Sequence, residues 1–111
     1  MTRELIDFIG SLGWFVYEYS DGHCELERFS PEGEDLIIEL PGVTDDVVSM
    51  ALKMNYEAFD AEEHAYNWYG KNRGEPSSLE VLLEDANAID DMYRDLCVNV
   101  EGFLRGKDGN D

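Results

Sequence analysis

The fold of this chain is decided by residues 14–29, which read WFVYEYSDGHCELERF. The first six residues are aromatic or β-branched enough to form a strand, and residues 23–29 alternate apolar and charged side chains as a return strand does. Asp21 and Gly22 stand between the two runs, and Asp-Gly is a pair that type I′ hairpin turns favour. The stretch therefore predicts an antiparallel hairpin. Its second strand presents Cys24, Leu26 and Arg28 on one face and Glu25, Glu27 and Phe29 on the other.

The residues on either side of the hairpin predict one helix before it and one strand after it. Residues 2–12 place apolar side chains at three- and four-residue steps, which predicts a helix that Thr2 caps and Gly13 stops. Residues 35–40 predict a third strand, which ends at a Pro-Gly pair. The first part of the chain is therefore expected to form a helix and a three-stranded antiparallel meander.

The second half of the chain has the pattern of helices. Thr44 is expected to cap a helix that continues to about Ala58, because two acidic residues follow it in the first turn. Asp60 and Glu63 have the spacing of a capping box and predict a short helix through Tyr69.

The last predicted helix is the longest element of the chain. Ser77 and Glu80 form a second capping box, and apolar residues follow at three- and four-residue steps. The fold class is therefore α+β: an N-terminal helix, a three-stranded antiparallel meander, then two or three helices, of which the long C-terminal one covers the sheet. We expect a single acidic domain over residues 1–105 and a flexible tail over residues 106–111.

The charge balance is the most unusual property of the composition. Among 111 residues, 26 Asp and Glu face 8 Lys and Arg, which gives a formal charge of −18. Direct binding to nucleic acid or to an anionic membrane needs Lys and Arg, so both are disfavoured, and the expected partner is a basic protein. Glu4 and Asp7 interrupt the N-terminal apolar residues, so we expect no signal peptide and a cytoplasmic location.

Residue patterns for catalysis are absent from the sequence. Cys24 and Cys97 each could pair with His64 in a nucleophile–base arrangement, but neither lies in a local signature of such enzymes. No nucleophile elbow, Walker motif or dinucleotide fingerprint occurs. We therefore interpret the chain as a non-enzymatic protein.

Patterns for metal binding are equally weak. His23 and Cys24 form one short pair of zinc-type ligands without a second pair. The Glu-x-x-His motif of di-iron helices fails because Ala61 stands three residues before His64. Asp85 begins a stretch that resembles a calcium loop, but the ligand positions and glycine that follow are replaced. We predict no metal and no cofactor.

The carboxylates of the predicted hairpin are more informative. Glu25 and Glu27 share a strand face, so their side chains are expected ~6–7 Å apart, close to the spacing of successive phosphates along a DNA strand. Arg28 is the one basic residue between Glu18 and Glu39. The pattern is typical either of a solvated strand or of a surface that substitutes for nucleic acid.

A second set of carboxylates follows the long helix. Glu84, Asp91 and Asp95 fall on one stripe with Glu80, and Arg94 is the one base between Glu80 and Glu101. Solvated helix faces usually intersperse lysine among acids to relieve repulsion, and this stripe does not. It is either an ordinary solvated face or part of the same partner-binding surface.

An aromatic cluster precedes residues 70–76, a predicted loop that holds Lys71 and Arg73. Tyr66, Trp68 and Tyr69 stand close together, which is typical of a partner-binding anchor and equally of a short helix that packs on the core. We assign Tyr66 to the candidate partner-binding set. That set is Glu25, Glu27, Glu84, Asp91, Asp95 and Tyr66.

The C-terminal half resembles a family of small uncharacterised acidic proteins encoded on bacterial mobile elements. The resemblance rests on FDAEEHA at residues 59–65, Trp68, PSS at residues 76–78, LLEDA at residues 82–86 and IDDM at residues 89–92. These positions are mostly helix caps and core residues, so no functional residue carries over from the family.

The predicted architecture is also similar to that of small phage-encoded anti-CRISPR inhibitors, which imitate DNA and block a CRISPR nuclease. The likeness lies in the order of one helix, three strands and further helices, together with the heavy acidity. It implies a DNA mimic that occupies the nucleic-acid site of a host defence protein, of the anti-restriction or anti-CRISPR type. The alternative is a structural or accessory domain of a mobile element, as a homodimer for example, whose acidity serves solubility alone.

Overall fold

The structure is a computed structural model that describes residues 1–41, 44–72 and 78–108. The chain is α+β, with a three-stranded antiparallel sheet in the order β1-β2-β3 between an N-terminal helix and three further helices. The predicted fold class is thereby confirmed. The elements are α1 (Arg3–Ser11), β1 (Phe15–Glu18), β2 (Cys24–Phe29), β3 (Asp35–Leu40), α2 (Asp45–Ala58), α3 (Ala61–Asn72) and α4 (Leu79–Asp108).

Helix α1 begins and ends as its sequence predicts. The Thr2 hydroxyl accepts a hydrogen bond of 3.2 Å from the backbone N–H of Leu5, which satisfies one of the free donors of the first turn. Gly13 adopts a φ of 101°, a left-handed conformation that lets the chain turn from the helix into β1. The Thr2 hydroxyl and backbone N–H also donate to the Asp45 carboxylate, which joins α1 to the start of α2.

The hairpin turn between β1 and β2 differs from the predicted two-residue type I′ turn. Backbone bonds from Tyr19 to His23 (3.0 Å) and from Gly22 to Tyr19 (2.9 Å) close a three-residue loop, with Gly22 at a φ of 96°. The reason is the Asp21 carboxylate, which accepts a 3.0 Å bond from the His23 N–H and also contacts the His23 ring. Asp21 therefore stabilises the loop through its side chain, as Asp commonly does in turns.

One apolar core lies between the sheet and helices α1, α2 and α4. The inner face of the sheet contributes Leu26 and Ile38, and the helices contribute Leu5, Leu52 and Ile89, all of them almost fully buried. This arrangement places α4 over the sheet, as the sequence predicts, and no helix of the described residues packs on the opposite face, whose large side chains are exposed. The full set of buried core residues is Leu5, Ile9, Trp14, Cys24, Leu26, Leu36, Ile38, Leu40, Val48, Leu52, Ile89, Leu96 and Val100.

Helix α3 packs on α4 through a second, smaller apolar cluster. Ala65 of α3 is fully buried against Leu82 and Ala86 of α4, and Trp68 packs against the same cluster. His64 lies 2.6 Å from the Glu34 carboxylate, which connects α3 to the turn between β2 and β3.

A buried carboxylate connects the same turn to the C-terminal helix. Asp85, on α4, is 3% exposed. It accepts a 2.8 Å bond from the Ser30 hydroxyl and a 3.0 Å bond from the Glu32 backbone N–H. The Ser30 hydroxyl is buried and the Glu32 N–H is part-buried, so both donors need an acceptor within the protein. By supplying it, Asp85 fixes the β2–β3 turn against the helix layer.

Three helix ends differ in detail from their sequence patterns. Thr44 occupies the cap position of α2, but its side chain makes no capping bond. Ser78 caps α4 through a 3.3 Å bond from Val81, whereas the predicted cap Ser77 lies outside the described residues. Helix α4 continues to Asp108, into the stretch that we expected to be a flexible tail.

Candidate functional site

The uncovered side of the sheet is the candidate site, and we call it the outer face. Residues of β1, β2 and β3 that alternate with the core residues point to this side. Several are large and apolar yet exposed, with Phe15 at 60%, Phe29 at 54% and Ile37 at 51%. The outer face consists of Phe15, Tyr17, Tyr19, Glu25, Glu27, Phe29, Asp35, Ile37 and Glu39.

The register of the strands sets aromatic residues and acids side by side on this face. Phe15 of β1 pairs with Glu27 of β2, and Glu27 pairs in turn with Ile37 of β3. In the next row, Tyr17 pairs with Glu25, which pairs with Glu39. Each carboxylate of β2 thus lies between an aromatic ring and a residue of the third strand.

Two tyrosine hydroxyls hold the β2 carboxylates in place. Tyr17 donates a 2.9 Å bond to Glu27, and Tyr19 donates a 3.0 Å bond to Glu25. These bonds are the leading reason that the pKa values of both tyrosines are raised, since ionising the phenol would remove the donor beside a negative charge. The tyrosines therefore orient the two carboxylates and remain protonated over the physiological range.

The acids of the outer face crowd one another. Glu25 and Glu39 are direct cross-strand neighbours, an arrangement of like charges that destabilises a sheet. Loss of hydration raises the pKa of Asp35, and the hydrogen bond that its protonated form donates to Glu27 and the negative charge of Glu27 raise it further. The face therefore holds negative charge at a cost to folding.

Basic residues do not relieve this crowding. Within the described ranges, no lysine or arginine forms an ion pair with an acid of the outer face. Arg28 belongs to β2 but lies on the inner side, where its guanidinium donates a 3.3 Å bond to the Leu12 carbonyl. A cationic partner would therefore meet acids that have no competing base beside them.

The acids of α4 are in a different situation. Asp91 and Asp95 both pair with Arg94, at N–O distances of 3.2 Å and 3.5 Å, and Glu84 lies exposed on the same helix. The buried side of α4 and the inner face of the sheet meet in one core, so the acidic side of α4 and the outer face point away from each other. The predicted acids thus fall on two separate surfaces, and Arg94 partly neutralises the one on α4.

Tyr66 lies on neither surface. It is half exposed on α3, while its neighbour Trp68 packs against the α3–α4 cluster and Tyr69 is exposed. Of the predicted aromatic patch, Trp68 therefore belongs to the packing of α3 on α4, and the two tyrosines are exposed.

Most apolar residues of the outer face were missed in the sequence. The alternation in β2 predicts the side of Glu25 and Glu27, but it does not say which residues of β1 and β3 lie beside them. One pattern in the sequence could have identified them. Residues 15, 17 and 19 and residues 35, 37 and 39 alternate in the same way as Glu25 and Glu27 do, so three strands paired in register place all of them on one face.

In the described part of the chain, the two cysteines are unpaired, and the side chains that commonly bind metals are not grouped into a metal site. Cys24 is buried, and burial is the main reason that the pKa of the Cys97 thiol is raised to about 11. No group of three His, Cys, Asp or Glu within residues 1–41, 44–72 and 78–108 is placed to hold a metal ion. Nor does any helix in these ranges have the length and apolar character to span a membrane.

Comparison with known proteins gives no match. No family model, no curated protein and no solved structure is similar to this chain at a significant level.

Proposed function

We propose that this chain is a non-enzymatic binding protein whose outer face holds a basic surface of a partner protein. The observation that carries the proposal is the combination, on one exposed sheet face, of aromatic rings with carboxylates that form no ion pair with any lysine or arginine that the structure describes. An exposed apolar area with charged neighbours is typical of an interaction site.

The chemistry of the face is best suited to arginine. A guanidinium stacks on an aromatic ring and binds a neighbouring carboxylate with two parallel hydrogen bonds, and Phe15 beside Glu27 offers both partners at once. Tyr17 holds the Glu27 carboxylate through its hydroxyl, so little side-chain entropy is lost when an arginine binds.

The specific form that we propose is inhibition by imitation of DNA. Glu25 and Glu27 are spaced ~6–7 Å apart along β2, as phosphates are along a strand, and a basic nucleic-acid cleft would recognise them in the same way. Anti-restriction or anti-CRISPR activity of a mobile element or phage is the biological setting for such an inhibitor. We restrict the imitation to the outer face, because Arg94 already pairs with Asp91 and Asp95 on α4.

The test compares two variants that lose the same charge from opposite sides of the molecule. One carries Glu25→Gln, Glu27→Gln, Asp35→Asn and Glu39→Gln, and the other carries Glu80→Gln, Glu84→Gln, Asp91→Asn and Asp95→Asn. A basic partner is captured from host lysate at low salt, identified by mass spectrometry and titrated calorimetrically with each variant. The outer-face variant should lose about 2–5 kcal/mol of binding, while the α4 variant stays within about threefold of the parent.

Two outcomes would contradict the proposal. Equal losses for both variants would show that total charge, and not the outer face, drives binding. Full binding by the outer-face variant would favour the accessory-domain alternative. The DNA-mimic form adds one requirement: duplex DNA must compete with this protein for the partner, and the partner's affinity must fall steeply as salt rises.

A further inference from the structure

A second exposed apolar surface lies on the helix side, in a groove between α2 and α4. The groove encloses about 350 Å³, and Met50, Tyr56, Cys97 and Val98 provide much of its lining. Met50 and Val98 are 64% and 61% exposed, and Met54 continues the α2 stripe at 68%. We call this surface the α2–α4 groove.

The charges of this groove are balanced, unlike those of the outer face. Lys53 and Arg94 line it together with Glu57 and Glu101, two bases against two acids. Lys53 lies 4.0 Å from Glu57 on α2. In a chain with only 8 basic residues against 26 acidic ones, such a balanced apolar surface differs sharply from the bulk of the molecule.

This balance decides what can occupy the groove. A basic partner gains little net attraction there, because Lys53 and Arg94 offset Glu57 and Glu101, whereas the outer face offers it acids that form no ion pair with a base among the described residues. A second copy of this chain has the opposite difficulty, since two molecules of charge −18 repel each other wherever acids face acids. Contact through a balanced apolar surface avoids that repulsion and buries the exposed methionines.

We infer that the α2–α4 groove is the face through which two copies of this chain associate. An isologous contact presents the same two acids and two bases from each side, so opposite charges can pair across it. Methionine side chains are flexible and polarisable, and they can fill a groove whose two halves are identical.

The size of the surface indicates a reversible dimer. Helix α2 has 14 residues and is therefore ~21 Å long, and two adjacent helices are ~20 Å wide, which gives a contact of ~400 Å² per copy. Stable interfaces bury about 800 Å² per partner, so a contact of half that size is expected to associate weakly and reversibly. This inference is independent of the proposed function, and the dimer leaves both outer faces free.

The four methionines of the chain provide a direct test with internal controls. With ¹³C-labelled methionine methyl groups, the signal of Met50, which lines the groove, should shift on dilution from about 1 mM to 10 μM, while those of Met1 and Met92, outside the groove, stay constant. Shifts confined to Met1 and Met92, or no shift at all, would overturn the inference.

Sedimentation equilibrium then tests the face by substitution. Met50→Glu and Val98→Glu each place a charge at the contact twice by symmetry and should weaken dimerisation at least about tenfold. Ile37→Glu adds the same charge on the outer face and serves as the matched control, with circular dichroism to verify each fold. A dimer that survives both groove variants, or that the control weakens equally, would contradict this interface.

Salt separates this association from the binding of a basic partner. Screening reduces repulsion between two copies of charge −18, so the dimer should strengthen as salt rises. Binding of a basic partner to the outer face should weaken under the same change. A dimer that weakens with salt would show that charge pairs, and not burial of the apolar groove, hold the copies together, against the inference.

Discussion

The guanidinium of Arg28 lies 5.9 Å from the centre of the Trp14 ring, on the inner side of the sheet. From there it donates to the Leu12 carbonyl at the end of α1. The one basic residue between Glu18 and Glu39 is thus used to join the first helix to the hairpin, and its charge is kept away from Glu25 and Glu27. Because Arg28 points to the inner side, it does not offset the acids of the outer face.

We expect Arg28→Met to destabilise the fold by about 1–2 kcal/mol, because it removes the hydrogen bond to Leu12 and the cation–π contact with Trp14. Urea denaturation measures the free energy of unfolding. Arg3→Met is the matched control: it removes the same charge from an exposed ion pair with Glu18, where a change below about 1 kcal/mol is expected. Equal effects of the two substitutions would show that only net charge matters.

We expect Asp85→Ala to cost about 2–4 kcal/mol of unfolding free energy, since the Ser30 hydroxyl and the Glu32 N–H lose a charged acceptor in a buried position. Asp85→Asn should cost less, because the amide keeps one oxygen acceptor. Asp91→Ala, on the exposed side of the same helix, provides the control and should change stability by less than about 0.5 kcal/mol. If Asp85→Ala matched that control, the turn would not depend on α4.

Acidification from pH 7 should raise the melting temperature. The pKa of Asp35 is raised in the folded state, so protonation of Asp35 favours folding. This stabilisation is complete below the ordinary pKa of 3.8 and is lost as the pH rises through the pKa that Asp35 has in the folded protein. Asp21 acts in the opposite direction, because the hydrogen bonds from His23 lower its pKa, and its contribution is lost only at more acidic pH.

Differential scanning calorimetry of the parent and of Asp35→Asn isolates the contribution of Asp35 to this pH dependence. The variant should melt above the parent at pH 7 and should gain less on acidification to about pH 4.5. Parallel curves for the two proteins would show that Asp35 is not crowded in the folded state.

Native Cys97 should react slowly with thiol reagents. Its pKa is raised from 9.0 to about 11, first by burial and then by the charges of Glu101 and Glu57, so roughly 100-fold less thiolate is present near pH 8 than for a free thiol. The rate of reaction with a disulfide reagent, measured with and without denaturant, checks this. Rapid labelling of the native protein would mean that Cys97 is more exposed than the structure describes.

The order and type of the elements could be predicted from the sequence because their patterns are local. The spacing of apolar residues in α1 and the alternation in β2 depend on residues within a few positions of one another. The turn between β1 and β2 could not be predicted in the same way, since its length depends on the bonds between Asp21 and His23.

The candidate site was predicted in part for a related reason. Glu25 and Glu27 were placed on the correct side by alternation within one strand, whereas Phe15 and Ile37 become their neighbours only through the register of three strands. No local pattern identifies Asp85 as a buried acceptor, because its two donors lie 55 and 53 positions away in the sequence. The pair of Arg94 with Asp91, three residues apart on one helix, was accessible from spacing, whereas its contact with the adjacent Asp95 was not.

The bond between Ser30 and Asp85 also has a consequence for how the chain is made. The two residues are 55 positions apart, so at roughly 5–20 residues per second the ribosome adds Asp85 roughly 3–11 s after Ser30. During that interval the hairpin has been synthesised, but the helix that covers its inner face has not. The nascent chain therefore exposes apolar strand surface for seconds, which makes this interval the one in which chaperones have most to protect.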